Sequence, residues 1–597
     1  MLREWMLRPL IDLDGIRTRQ DATEFFLQPC MQTAIGFLLG FLPKIGSLDR
    51  ILLRIQKCVT KPQDFLILTT TLSAAVSIAS IVRNDILSLI ESHSEVSTPL
   101  AQQFFSELYT QCNVKVMTNL RERIMAVIDI EAMMEGKGSS IVIRHGFHEQ
   151  LDSWKEQYDS LEEILLGVGK DLYHKNSQLE GLSIVFIPQI GYLVELDQNQ
   201  VSLARDALPP DFEHIFNQDN CVYFKCGEMR HLDEEIGDLD AFIKDTELMI
   251  MTQLEETILD TENELRECFK ALSILDCVLS FANCAADLNF TRPQLIDDDE
   301  GESSKSQDQA PRKVLSIKDG RHPLQEIFCE REFVTNDVQM DNLNRILCVT
   351  GPNYSGKSCY MRQVGLLVYM AHLGSFIPCS KAVIPITDQI FARVSTTETC
   401  SRPQSSFQLE LTEMASILLK ATPKSLVLID EFGKGTSPAS GIAILGAAVK
   451  NLSKIQCKAV CTTHFLELFT MNVIADRQHG IRAARMAIHL PEGKEDSATP
   501  LFKLEDGIAS SSAGLICAKN AGVDNDVINR AKEIIQTMRA RKFIQPLPEV
   551  APQVSILSKS EKEILAHFTS VDSLENSSDD DITKLLQLVA DQIPSLE

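Results

Sequence analysis

The stretch Ile346-Leu-Cys-Val-Thr-Gly-Pro-Asn-Tyr-Ser-Gly-Lys-Ser358 constrains this chain more than any other. Its first five residues are apolar or β-branched and read as a short buried strand. A loop of the form Gly-x-x-x-x-Gly-Lys-Ser follows, and then Met361, Val364, Leu367, Val368 and Ala371 recur at helical spacing. Strand, glycine-rich loop and helix in that order suit a nucleoside triphosphate. The backbone of Gly351, Pro352, Asn353, Tyr354, Ser355 and Gly356 would face the phosphates, Lys357 would reach the outer ones, and the Ser358 hydroxyl can ligate Mg²⁺.

A second motif, Ser425-Leu-Val-Leu-Ile-Asp430-Glu431, agrees with the first. Four apolar residues make a strand buried on both faces, ending in adjacent carboxylates. Asp430 would hold the Mg²⁺, directly or through water, and Glu431 would polarise the attacking water.

With 597 residues the chain has room for several domains. A mean hydropathy of −0.02 fits a soluble globular protein, and no signal-peptide pattern opens it. The formal charge of −26 is unusual for a protein that grips nucleic acid. Its 16 cysteines form no C-x-x-C pair and read as reduced thiols of a cytosolic or nuclear protein. Phe65 to Val82 is uncharged and nearly long enough to span a membrane. Its threonines and serines, and the lack of a companion span, favour a buried core helix.

Residues 1 to about 130 read as successive helices, with apolar positions three and four apart at Ile51, Leu52 and Ile55 and at Val114, Met117, Leu120, Ile124 and Ile128. Phe147 to about Leu179 reads as one long polar helix reaching into solvent. The period then changes. Leu182–Ile187 and Tyr192–Leu196 suggest a hairpin, Cys221–Lys225 a third strand, and Met229 to about Asn289 a second long helical segment. The pattern suits two antiparallel arms with a β tip, or an α+β insertion packed on a core. Asp297–Lys313 is acidic low-complexity sequence and reads as a flexible linker. Helical sequence with turns at Ala513-Gly-Leu and Ala521-Gly-Val follows the αβ region, and the residues after Lys542 read as a mostly disordered tail.

These features together resemble the MutS family. Asp319-Gly-Arg-His-Pro323 is similar to the segment that leads into the family's ATPase domain, and Phe333 matches the aromatic that stacks on adenine. Gly351–Ser358 matches the P-loop, and Ser405-Ser-Phe407 sits where the family has a signature serine contacting the partner subunit's nucleotide. Asp430–Ser437 covers the second carboxylate motif and interface loop, Thr462-Thr-His464 the switch histidine, and Ser512–Ile535 the helix-turn-helix dimerisation element. Tyr354, Ser355, Cys359 and Pro403-Gln404 depart from the usual family residues.

The resemblance implies a multidomain α + α/β fold: a helical core with long lever helices and a small β clamp, then an ABC-type P-loop ATPase domain and a helix-turn-helix. The implied boundaries are helical core 1–145, first arm 146–180, β clamp tip 181–228, second arm and core return 229–296, and linker 297–313. ATPase domain 314–510, helix-turn-helix 511–545 and acidic tail 546–597 follow. The start of the chain matches an interior point of longer relatives, so mismatch-binding and connector domains are not expected here.

Ile187-Pro-Gln-Ile-Gly191, Glu235–Asp240 and Phe432-Gly-Lys434 are similar to the meiotic branch of the family. That branch implies an ATP- and Mg²⁺-dependent DNA clamp on branched recombination intermediates such as Holliday junctions. It also implies a heterodimer with the fourth MutS homologue, on nuclear chromosomes, with Glu431 and His464 catalytic and no membrane partner. The alternatives are a MutS-like scaffold with a vestigial ATPase, or another ABC-type chromosome-maintenance ATPase. Acidity counts against direct DNA contact by the tip, since Arg205 and Lys225 face seven carboxylates from Gly181 to Glu228. Either DNA is held by encirclement or the tip contacts protein.

Overall fold

The computed structural model describes residues 1–92, 98–135, 141–175, 181–198, 201, 209–297, 314–394, 406–489, 499–509 and 514–540. The linker from 298 to 313 and the tail beyond 540 therefore lie outside the described residues. Two compact units are present. The larger comprises Met1–Glu492 and Ala498–Ser512, and the smaller Gly493–Ser497 and Ala513–Glu597.

The larger unit begins as a helical core. Its apolar interior runs from Trp5 through Phe25, Phe65, Leu72, Phe105 and Ile124, and is closed by Leu254, Leu265, Leu272 and Leu279 from the far side of the clamp. The chain thus leaves the core, makes the arms and tip, and returns to finish the same core. Among the described residues two helices, Pro62–Ser92 and Glu262–Asp287, are long and apolar enough to cross a membrane, and the bent pair Leu13–Phe26 and Pro29–Gln56 would make a third. This corrects the expectation that Phe65–Val82 has no companion. In Pro62–Ser92 and Glu262–Asp287, 56% and 50% of the most apolar window is buried inside the protein, which is what a core helix requires.

The first arm is two helices, Glu149–Asp159 and Leu161–Lys175, rather than the single long one its pattern suggests. The returning arm is Leu239–Asp260. Trp154 stacks on Phe242 at 5.5 Å and Lys155 pairs with Glu247 at 2.6 Å, joining the arms. The tip is a four-stranded sheet of β1 (Ser183–Ile187), β2 (Gly191–Asp197), β3 (Glu213–Gln218) and β4 (Cys221–Lys225), in the order β1-β2-β4-β3. β3 is absent from the sequence reading because Glu-His-Ile-Phe-Asn-Gln is polar and largely exposed, so it lacks the alternation that marks a strand with one buried face.

One buried cation pins the tip. Lys225 is only 9% exposed and pairs with Asp233, while its Nζ donates to the carbonyls of Ile190 (3.1 Å) and Tyr192 (2.9 Å). Asp233 in turn accepts from the Tyr192 amide at 2.8 Å. Gly191, at φ +94, leaves room for this, since a Cβ there would lie 2.2 Å from the Asp233 carboxylate. Removing the cation leaves three acceptors unmatched, although Asp233 is partly solvated. We expect Lys225→Met to cost the tip about 1–2 kcal/mol, read as faster amide exchange in β2 and β4 with the helical core unaffected.

The α/β half contains two sheets. In the first, β8 (Ile346–Thr350), β10 (Ile390–Arg393), β11 (Leu426–Asp430), β12 (Lys458–Thr463), β13 (Ile481–His489) and β14 (Thr499–Asp506) take the order β10-β11-β12-β8-β13-β14. The first five of these are parallel and β14 is antiparallel to β13. Every residue of β8, β11 and β12 is buried, the burial pattern of central parallel strands. The second sheet orders β5 (Gln294–Ile296), β9 (Lys381–Pro385), β6 (Leu315–Gly320) and β7 (Asn336–Met340) side by side.

His372 ties this half to the N-terminal segment. Its Nδ1 lies 2.8 Å from the Leu10 carbonyl and its Nε2 accepts from the Thr387 amide at 3.1 Å, so the neutral ring satisfies both. Burial pushes its pKa below the ordinary value of 6.5, with the Leu10 hydrogen bond opposing. Protonation would set an N–H against the Thr387 N–H. The unfolded chain therefore takes up the proton first, and stability held above about pH 6.5 falls as pH drops below it. We expect a lower melting temperature at about pH 5.5 than at about pH 7.5, and a smaller difference in His372→Gln.

In the smaller unit, helices Gly514–Asn520 and Asn525–Arg539 are joined by a turn whose Gly522 has φ +82. Gly514, expected in a turn, instead opens a helix. Ile528 is buried, whereas Val527 and Met538 are exposed.

Candidate active site

Parallel pairing brings the motif residues together. β11, β12 and β8 are neighbours, with Asp430 in register with Thr462 and Thr463 in register with Thr350. The carboxylates after β11, the histidine after β12 and the loop after β8 therefore emerge at one level, at the carboxyl ends of the strands, where open α/β sheets bind ligands.

The loop has the conformation its glycines allow. Gly351 and Gly356 have φ of +153 and +96, and the helix Lys357–His372 starts directly behind. Tyr354 also takes a left-handed φ of +60, at some cost for a bulky residue. Ser355, which replaces a usual family glycine, is not among the positive-φ residues, so its side chain brings no backbone strain. It is buried, and its hydroxyl donates to the Pro352 carbonyl at 2.8 Å.

Lys357 is 4% exposed and its ammonium folds back over the loop. It donates to the carbonyls of Gly351 (3.0 Å) and Pro352 (2.8 Å) and lies 3.3 Å from His464 Nε2 and 3.6 Å from Glu431. Burial draws its pKa below the usual lysine value and Glu431 opposes the shift. Carbonyls are the weak partners a phosphate would replace.

Asp430 ends its strand buried, accepting from the Ser358 hydroxyl at 2.7 Å and from Thr462 Oγ1 at 2.6 Å. Glu431 then turns through a left-handed φ of +48, fixed by its amide on the Thr462 carbonyl at 3.0 Å. Buried Phe432 and Gly433 (φ +89) complete the turn. A Cβ at Gly433 would lie 3.0 Å from the Gly441 backbone. The turn leaves Glu431 2.7 Å from His464 and in contact with Lys434. Its carboxyl is held at about 2, chiefly by the His464 hydrogen bond, with burial opposing and Lys434 adding to it. It is thus ionised at neutral pH.

Phe333 lines a separate cleft of about 810 Å³ that opens beside the loop, together with Tyr354, Gly356, Cys359 and Phe502. Ser405 lies outside the described residues. The helix Ser406–Lys420 begins just after it, with Phe407 against Gly435 of the loop beyond Glu431. Glu410 of that helix accepts from the Gly433 amide at 3.2 Å and pairs with Arg393 at 2.9 Å. Of the remaining candidates, Asn353 is a loop residue exposed to solvent.

Several partners escaped the sequence reading. Thr462 sits inside a recognised motif, but its bond to Asp430 depends on strand register. Lys434 stands three residues from Glu431 and could have been inferred from a tight turn. Phe502 and Glu410 come from distant elements and carry no local signal.

Among the described residues no group of three His, Cys, Asp or Glu side chains could hold a metal. One hydroxyl and one carboxylate, Ser358 and Asp430, nevertheless suit Mg²⁺, which takes few protein oxygens and completes its shell with water and phosphate.

A helical core followed by an α/β domain, with a glycine-rich loop, two carboxylates and a histidine gathered at one end of a parallel sheet, defines a mixed helical and α/β chain. Residues 1–282 match the family model MutS domain III, and residues 347–539 match MutS domain V. The chain is similar to MutS protein homolog 5 of Saccharomyces cerevisiae, at 31% identity over 96% of this chain and 65% of that protein. It is also similar to the DNA mismatch repair protein MutS of Thermotoga maritima, at 30% over 90% and 61%, and to that of Caldicellulosiruptor bescii, at 29% over 96% and 63%. The chain belongs to the MutS family. It spans less than two thirds of the length of these relatives.

Proposed function

We propose that this chain is an ATP-driven DNA clamp of the MutS type from the meiotic branch. It works on branched recombination intermediates such as Holliday junctions, as a heterodimer with the fourth MutS homologue, on nuclear chromosomes. The observation that carries the ATPase reading is the convergence of Lys357, Ser358, Asp430, Glu431 and His464 at the ends of three adjacent parallel strands. The yeast relative's name supports the branch.

Each residue then has a task. Lys357 leaves the loop carbonyls for the outer phosphates, while Ser358 and Asp430 hold Mg²⁺, which screens phosphate charge when bound. Glu431 polarises water, and His464 orients its carboxylate. Phe333 stacks on adenine. Ser405 reaches the nucleotide of the partner subunit, and the helix-turn-helix unit assembles the pair.

The clamp tip supports encirclement rather than a grip. Of its two cations, Lys225 is buried on Asp233 and Arg205 lies outside the described residues. Lys225, so placed, gains little from releasing phosphate counterions. The test is retention on junction DNA with ATP, chain and paralogue together, comparing blocked with open ends. Retention only on blocked ends is expected, and equal loss from both would refute the clamp. A stable, fully active homodimer would refute the obligate partner.

A further inference from the structure

We propose that Glu410 is a positioning residue for the reaction, pinning the far side of the turn that aims Glu431. This rests on the reading that Glu431 polarises water for ATP hydrolysis. The turn begins where β11 ends, and Glu431 itself takes a left-handed φ of +48. A residue with a side chain keeps that conformation only where its surroundings impose it. On the near side β12 does so, because the Glu431 amide donates to the Thr462 carbonyl at 3.0 Å.

On the far side a side chain takes over. Glu410 Oε2 accepts from the Gly433 amide at 3.2 Å. Glu410 belongs to the helix Ser406–Lys420, and the same helix brings Phe407 so near the turn that a Cβ at Gly435 would lie 2.9 Å from the Phe407 Cβ. The helix therefore grips the turn at two points, Gly433 and Gly435.

Glu410 is held in its turn by the sheet. Arg393, the last residue of β10, is 4% exposed, and its Nη2 lies 2.9 Å from Glu410 Oε1. One carboxylate oxygen thus faces the guanidinium and the other the Gly433 amide. The Arg393 Nε also lies 2.9 Å from Glu413. If Glu410 is changed, Arg393 still has a carboxylate beside it, whereas the Gly433 amide loses its acceptor. A hydrogen bond to an ionised carboxylate is a firm restraint, and misplacing a reacting group by about 1 Å can cost up to about 10²-fold in rate.

Two variants separate reach from charge. Glu410→Gln keeps the length of the side chain and an oxygen for Gly433 but loses the charge. Glu410→Asp keeps the charge and is one methylene shorter. The chain assembled with its paralogue gives kcat and ATP affinity, and hydrogen exchange of the chain reads the amides of residues 431–435. Glu410→Gln should hold kcat within about three-fold. Glu410→Asp should lower it by about ten-fold or more, with ATP affinity unchanged and faster exchange at the turn. In a Glu431→Gln background Glu410→Asp should cost nothing further, because it acts through Glu431.

An active Glu410→Asp beside an impaired Glu410→Gln overturns the assignment and leaves Glu410 a charge partner of Arg393. So does a loss that persists in full in the Glu431→Gln background, or one shared equally by ATP affinity and turnover. Should Glu410→Asp not fold, a loss of more than about ten-fold in Glu410→Gln overturns it alone. An unmodified chain that turns over no ATP with its paralogue overturns the ATPase reading instead, and exchange at the turn then decides whether Glu410 pins it.

Discussion

Replacing Glu431 with glutamine should leave ATP bound and slow its turnover by roughly 10²- to 10⁴-fold, the range for a lost general base. Glutamine keeps the shape of the side chain, so the Glu431 turn, set by its amide on Thr462 and by buried Phe432, is unaffected. On the proposed reading, what is lost is the charge that orders water. His464 at 2.7 Å and Lys434 both face this carboxylate, and neither can substitute for it. Removing a negative charge close to the phosphates should, if anything, tighten binding. Equilibrium binding and single-turnover hydrolysis separate the two effects. A parallel loss of both would make Glu431 a structural residue.

Lys357→Ala should weaken ATP binding by about 100-fold, the scale of charge-assisted hydrogen bonds to phosphate. The ammonium is buried over the loop and within 3.6 Å of Glu431, so it needs to move only from two carbonyls to the incoming oxygens. Arginine should not rescue binding, because its larger planar head does not fit a site that is 4% exposed. Filter binding with labelled ATP provides the measurement. Affinity unchanged in the alanine variant would sink the phosphate assignment.

Much of this site is legible without coordinates, because its parts are local. A strand of five buried residues, a loop needing glycine at two positive-φ points and a helix behind it occupy consecutive residues. The same holds for Leu426–Asp430 and its carboxylates. Each pattern follows from backbone sterics and burial, which neighbours in sequence impose. The tip hairpin was legible for the same reason. β3 was not, because its polar edge strand is held by pairing with β4 rather than by its own pattern.

Strand order could not be read in advance. Nothing in the sequence near Asp430 or His464 says that β12 lies between β11 and β8, yet this order puts Thr462 on Asp430 and Glu431 beside Lys357. The cleft is similar: Phe333 and Phe502 lie 169 positions apart in the chain and share a wall only because β7 and β14 are pinned through Asn336. Local chemistry chose the residue types and their conformations. Long-range packing, which balances burial against hydrogen-bond satisfaction over the whole sheet, chose which of them meet.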